Sequence, residues 1–135
     1  MMVLRDAILE LLERAKKWPE LNEADTKATF VEWMLQVLGW DVSNPEIVTR
    51  EYRVYNGTLI DYALKVDGTP RIFVEAKSLG RSLDDKQFIA QTVNYANNEG
   101  VVWCVLTNGL KYRVYNASVP STSARAVGVA PPSRA

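Results

Sequence analysis

The sequence predicts an α/β domain: a mixed β-sheet of about five strands flanked by helices, in the order α-α-β-β-β-α-β-β. Three observations predict it. Apolar side chains recur at the helical period up to Gly39 and at a period of two soon after it. Asn56-Gly57, Asp67-Gly68 and Asn108-Gly109 punctuate the second part, each a turn signal between apolar runs. One more helical pattern stands between the third and fourth strand patterns, which makes that connection a crossover and the sheet mixed.

Residues 3–17 place Leu4, Ala7, Ile8, Leu11, Leu12 and Ala15 at helical spacing, and Pro19 ends the run. A second helix starts at Asn22, a capping residue, with acids in its first turn. Its predicted inner stripe is Ala24, Ala28, Val31, Met34, Leu35 and Leu38, and Gly39 stops it. "IVTREYRVY" (47–55) and "TLIDYALKV" (58–66) then flank Asn56-Gly57 as a hairpin. "RIFVEAKSL" follows the Asp67-Gly68 turn as a third strand. Residues 83–97 read as a helix with Leu83, Phe88, Ile89 and Val93 inward. "VVWCVLT" (101–107) is a continuous apolar run suited to a central strand, and "LKYRVYN" (110–116) closes the sheet.

At 135 residues the chain is one domain's worth. The predicted domain spans 1–116, and the Ala-, Ser-, Pro- and Val-rich stretch 117–135 reads as a flexible or truncated tail. Lys plus Arg and Asp plus Glu number 16 each, so no global basic charge announces nucleic acid. The tail carries two Arg and no acid, which leaves residues 1–116 with a formal charge of −2. There is no histidine, which excludes histidine triads, histidine general bases and histidine zinc ligands. The one cysteine, Cys104, sits in an apolar run and reads as a core residue in a reducing compartment. No stretch reaches the roughly 20 apolar residues that span a membrane. The expectation is a cytoplasmic protein with no membrane partner.

Within "RIFVEAKSLG" (71–80), Glu75 and Lys77 interrupt an apolar strand and face the same side. The chain holds two other acid-x-Lys matches, Asp25-Thr26-Lys27 and Asp84-Asp85-Lys86. Both fall on predicted helix starts, where an acid simply favours the helix dipole. Asp61, in "TLIDYAL", is a further lone charge on the preceding strand. Pairing across the Asp67-Gly68 turn brings Asp61 near the level of Glu75, at a register that depends on loop geometry. Two carboxylates and an ammonium would then converge. Such a group can hold Mg²⁺ with several waters and act on a phosphate ester. It can equally be a buried Glu–Lys ion pair with no chemistry.

The segments "NEADTKATFVEWMLQVLGWD", "REYRVYNGTLIDYALKVDG", "IFVEAKSLGRSLDD", "QTVNYA" and "VVWCVLTNGLKYRVY" together resemble the N-terminal domain of the type I restriction endonuclease R subunit, a member of the PD-(D/E)xK nuclease superfamily. The resemblance covers residues 20–116 and leaves 1–18 as an N-terminal helix. It implies a restriction-endonuclease-like fold and a Mg²⁺- or Mn²⁺-dependent nuclease acting on DNA, with other restriction-modification subunits as candidate partners. On the family's motif Asp61 is the first acid, Glu75 the second and Lys77 the lysine. The metal ligands implied are Asp61, Glu75 and the Ala76 carbonyl, with Glu23 as a further candidate and Glu32 behind it. Gln91 and Tyr95 match a Gln-x-x-x-Tyr element that contacts substrate or supports Lys77, and their i, i+4 spacing puts them on one helix face. Ile60 stands where the motif's name has proline, and the chain has no G-x-x-x-x-G-K-[ST] motif for an ATP-driven motor. A catalytically inactive DNA-binding or subunit-docking module of the same fold remains the alternative. Oligomeric state is not legible.

Overall fold

The computed structural model describes residues 3–118 and 126–127. Helix α1 is Leu4–Lys17. Helix α2 is one continuous helical run in three segments, Glu23–Thr26, a π-helical turn Lys27–Val31, and Glu32–Val37. Strands β1 (Val48–Arg53), β2 (Leu59–Val66) and β3 (Thr69–Ala76) follow, then α3 (Lys86–Asn98), β4 (Trp103–Thr107), β5 (Tyr112–Asn116) and a short β6 (Ala126–Val127). The strands lie in sequence order in one sheet. All neighbours are antiparallel except β3 and β4, which α3 joins in parallel. The predicted order and the mixed sheet are both present. Of the predicted tail 117–135, only 117–118 and 126–127 fall among the described residues, and Ala126–Val127 add a sixth strand to the edge of β5.

The period of two sorts the strand side chains between two cores. Ala63, Phe73, Cys104 and Leu106 pack with Val93 and Ala96 of α3. Tyr62, Leu64, Val74 and Ala76 pack with Val31 and Leu35 of α2 on the other face. Cys104 is a free buried thiol, and burial pushes its pKa up to about 12, so it is a packing residue with little thiolate to react.

Three local predictions need correction. The stripe read into α2 holds only in part: Val31 and Leu35 are buried as predicted, but before them Thr26 and Phe30 are buried in place of the exposed Ala24 and Ala28, and Leu38 is exposed. The π turn is the reason, because its extra residue rotates everything beyond it relative to a regular helix. In α1 only Ala7 and Leu11 are buried, and Leu4, Ile8 and Leu12 face outward. That helix is held instead by Arg14, which stacks on Trp33 at 4.3 Å and donates to the Thr29 carbonyl at 2.6 Å. Helix α3 begins at Lys86 and not at residue 83, because the Asp85 carboxylate accepts from the Phe88 N–H at 3.1 Å and caps it. Leu83 is nonetheless buried.

The turns follow their residues unequally: at Asn56-Gly57, read as a tight hairpin, only Gly57 has positive φ, and β1 and β2 stop at Arg53 and Leu59 around a wider loop. Asp67 and Gly68 both have positive φ, 53° and 77°, as a tight I′ hairpin turn requires. Gly109 has φ 87°, and a Cβ there would lie 3.0 Å from Thr26 Cγ2 and 3.1 Å from Leu79 Cδ1. Only glycine lets the β4–β5 turn approach α2 this closely.

Candidate active site

A bulge sets the site. Next to the Asp67-Gly68 turn, Val66 pairs with Thr69 and Lys65 with Pro70; beyond an irregularity at Leu64/Lys65, Leu64 pairs with Ile72, Ala63 with Phe73 and Tyr62 with Val74. One step further along this register, Asp61 comes level with Glu75. Without the irregularity Asp61 would come level with Val74, whose side chain belongs to the opposite face. A one-residue slip exchanges the two faces of a strand, so the bulge decides whether the carboxylates meet.

They do meet. The Asp61 N–H donates to Glu75 Oε1 at 2.6 Å, and the Ala76 N–H donates to Asp61 Oδ2 at 2.8 Å. Burial, and then the negative charge of Asp61, push the Glu75 carboxyl up to about 8, against the backbone bond from Asp61 that favours its ionised form. A pair of acids held this close in a part-buried setting calls for a counter-charge.

Lys77 stands just past the end of β3, where its N–H donates to the Thr107 carbonyl at 2.8 Å. Its ammonium lies over the Phe88 ring of α3, 3.8 Å from the centroid. Among the described residues it forms no ion pair, so the buried Glu75–Lys77 pair considered from the sequence is not what holds these charges.

Gln91 and Tyr95 share a face of α3, as their spacing predicts. Gln91 Nε2 donates to the Tyr95 hydroxyl at 2.9 Å, and that hydroxyl lies 3.3 Å from Thr58 Oγ1 at the mouth of the β1–β2 hairpin. Tyr55 packs edge-on against Tyr95 with centroids 6.3 Å apart. A groove of about 410 Å³ opens beside them, lined by Tyr55, Asn56, Gln87, Gln91, Asn94 and Tyr95.

The helix-start lysine set aside in the sequence is in the site. Lys27 Nζ lies 3.0 Å from Asp61 Oδ1 and 3.9 Å from Glu23 Oε2. Burial works against its charge, but the hydrogen bond and charge of Asp61, with Glu23 and Glu51 behind them, leave its pKa raised. A signal for it exists in the sequence: Lys27 precedes Phe30 and Val31 by three and four residues, which puts it on the apolar face of α2. Glu23, the further metal candidate, therefore reaches Asp61 through Lys27. Glu32 is committed elsewhere. It takes a two-pronged bond from Arg50, at 2.9 and 2.6 Å, and accepts from the buried Tyr62 hydroxyl at 2.8 Å. Those bonds hold its pKa below the ordinary carboxylate value despite its burial.

The donor set suits a hard divalent cation. Mg²⁺ needs one or two carboxylates and keeps its other positions for water and phosphate oxygens. Asp61 and Glu75 supply two, of which Asp61 has Lys27 as its present counter-ion at 3.0 Å. Among the described residues no cluster of three or more acidic, histidine or cysteine side chains forms. Among those residues no helix is long and apolar enough to cross a membrane.

A family model described as the type I restriction enzyme R protein N terminus (HSDR_N) matches residues 25–131. No curated protein and no solved structure matches the chain.

Proposed function

The chain belongs to the family of type I restriction enzyme R protein N termini, and on that footing we propose that it is a metal-dependent nuclease domain of PD-(D/E)xK type that hydrolyses DNA phosphodiester bonds. The observation that carries this reading is the meeting of Asp61 and Glu75 at the end of the β2–β3 ladder, joined by the 2.6 and 2.8 Å bonds between each strand's backbone and a carboxylate on its neighbour.

Asp61 and Glu75 hold Mg²⁺ or Mn²⁺, with the Ala76 carbonyl beside them. When bound there, the ion supplies a Lewis acid for the phosphate and lowers the pKa of a coordinated water. Lys77, on the same face as Glu75, orients or activates the attacking water and offsets charge gathering on the phosphate. Gln91 and Tyr95, bonded to each other and to the β1–β2 hairpin, present polar groups to the DNA backbone next to the site. In a restriction-modification complex, other subunits would bring the DNA to this domain.

A second reading has its own support. Asp61 is already neutralised by Lys27, as suits a domain that binds DNA or docks to another subunit without cutting. Mn²⁺ titration together with oligonucleotide cleavage separates the two. The nuclease reading expects binding in the micromolar to millimolar range and cleavage that needs the ion. DNA or subunit binding with no Mn²⁺ uptake contradicts it and leaves the module.

A further inference from the structure

We propose that Lys27 is a built-in counter-cation of the site: a positioning residue that holds Asp61 until a divalent ion displaces it. The inference rests on the metal site proposed above and concerns a residue outside its ligands.

The geometry makes the two cations rivals. Lys27 Nζ is 3.0 Å from Asp61 Oδ1, while Asp61 Oδ2 is taken by the Ala76 N–H at 2.8 Å. A divalent ion bonds carboxylate oxygens at roughly 2.0–2.6 Å, so sharing Oδ1 would bring it within about 5 Å of the ammonium. At that distance the repulsion between a double and a single positive charge exceeds thermal energy even at the effective dielectric of a protein surface. The ammonium therefore has to leave as the ion arrives.

It has somewhere to go. Glu23, on the same helix one turn earlier, lies 3.9 Å from Lys27 Nζ, and its side chain is 52% exposed. A rotation of the flexible lysine stem transfers the ammonium from Asp61 to Glu23. Lys27 is also the first residue of the π turn. A wider turn of this kind, frequent at functional sites, sets the angle at which the stem leaves the helix. No other described lysine or arginine pairs with Asp61. In this account Glu23 acts on the metal through Lys27, by taking up the displaced charge.

The test is Mn²⁺ binding by calorimetry to the full chain without DNA, with metal-free thermal melting alongside. Lys27→Met keeps the stem and removes the charge. It should bind Mn²⁺ on the order of tenfold more tightly than wild type, and it should melt at a lower temperature without metal, because Asp61 and Glu75 lose their cation. Lys27→Arg keeps the charge and should bind no more tightly than wild type. If Lys27→Met fails to fold, Lys27→Gln gives the same comparison with a polar head. Equal or weaker Mn²⁺ binding by the neutral variants, with wild-type binding intact, overturns the inference alone. No Mn²⁺ binding by any of these proteins overturns the metal site and this inference with it.

Discussion

Lys27 Nζ and Asp61 Oδ1 lie 3.0 Å apart although 34 positions separate them in the chain. The contact ties the π turn of α2 to the strand that carries the site, and it makes the charge balance at Asp61 and Glu75 a property of two layers of the fold.

Metal-free stability should fall as pH rises. The Glu75 carboxyl is raised from 4.5 to about 8 in the fold by burial and then by Asp61. Between those values the folded protein holds a proton that the unfolded chain has released, so alkali favours unfolding. The stability is fully present below about pH 4.5 and is lost as pH passes 8. Melting temperatures of metal-free protein from pH 5 to 9 should decline for wild type, and the part of the decline that falls in this window should vanish in Glu75→Gln. An unchanged slope in that variant contradicts the assignment.

Gly109→Ala should destabilise by about 2–4 kcal/mol. The residue has φ 87°, and the added Cβ would meet Thr26 Cγ2 at 3.0 Å, so strain in the left-handed region adds to overpacking against α2. Urea denaturation followed by circular dichroism measures it. A cost below about 0.5 kcal/mol, the range of ordinary surface substitutions, is the contrary result.

Tyr62→Phe should cost about 1.5–3 kcal/mol, because it deletes the part-buried hydrogen bond of 2.8 Å from the Tyr62 hydroxyl to the Glu32 carboxylate. Its metal affinity should stay within about twofold of wild type, since Glu32 serves Arg50 and Tyr62 and not the metal. Loss of Mn²⁺ binding in this variant would return Glu32 to the ligand set.

Tyr95→Phe removes the hydroxyl that Gln91 and Thr58 share. It should weaken DNA binding by about three- to tenfold, the range of one or two lost hydrogen bonds, and leave Mn²⁺ affinity unchanged. Fluorescence anisotropy with a labelled oligonucleotide in Ca²⁺ reads the first and calorimetry the second. A change in metal affinity with DNA binding intact reverses the assignment.

Most of the architecture is legible in the residues themselves. Asp67-Gly68 writes the β2–β3 turn, and the helical pattern over 83–97 forces the parallel β3–β4 crossover. Asp61 and Glu75 stand out because each is a charge among apolar neighbours on a strand, and Lys77 because it follows Glu75 by two residues at that strand's end. What decides the site is less visible. The bulge leaves Arg71 unpaired opposite Leu64/Lys65, and Pro70 beside it is the one mark it leaves in the sequence; that mark does not give the register that brings Asp61 level with Glu75. The π turn has no local mark, and it shifts the buried face of α2 onto Phe30. Lys27 is misread for a related reason. Its neighbour Asp25 makes it look like part of a helix start, and only the tertiary packing of α2 on β2 gives it Asp61 as a partner.

The central claim is that Asp61 and Glu75 form a working metal site for phosphodiester hydrolysis. Nicking of supercoiled plasmid, with and without Mg²⁺ or Mn²⁺, tests it most directly on wild type and Asp61→Ala in parallel. Cleavage that requires the ion and falls at least a hundredfold in Asp61→Ala is the predicted result. Equal rates for the two proteins, or no ion-dependent cleavage by wild type, would contradict it.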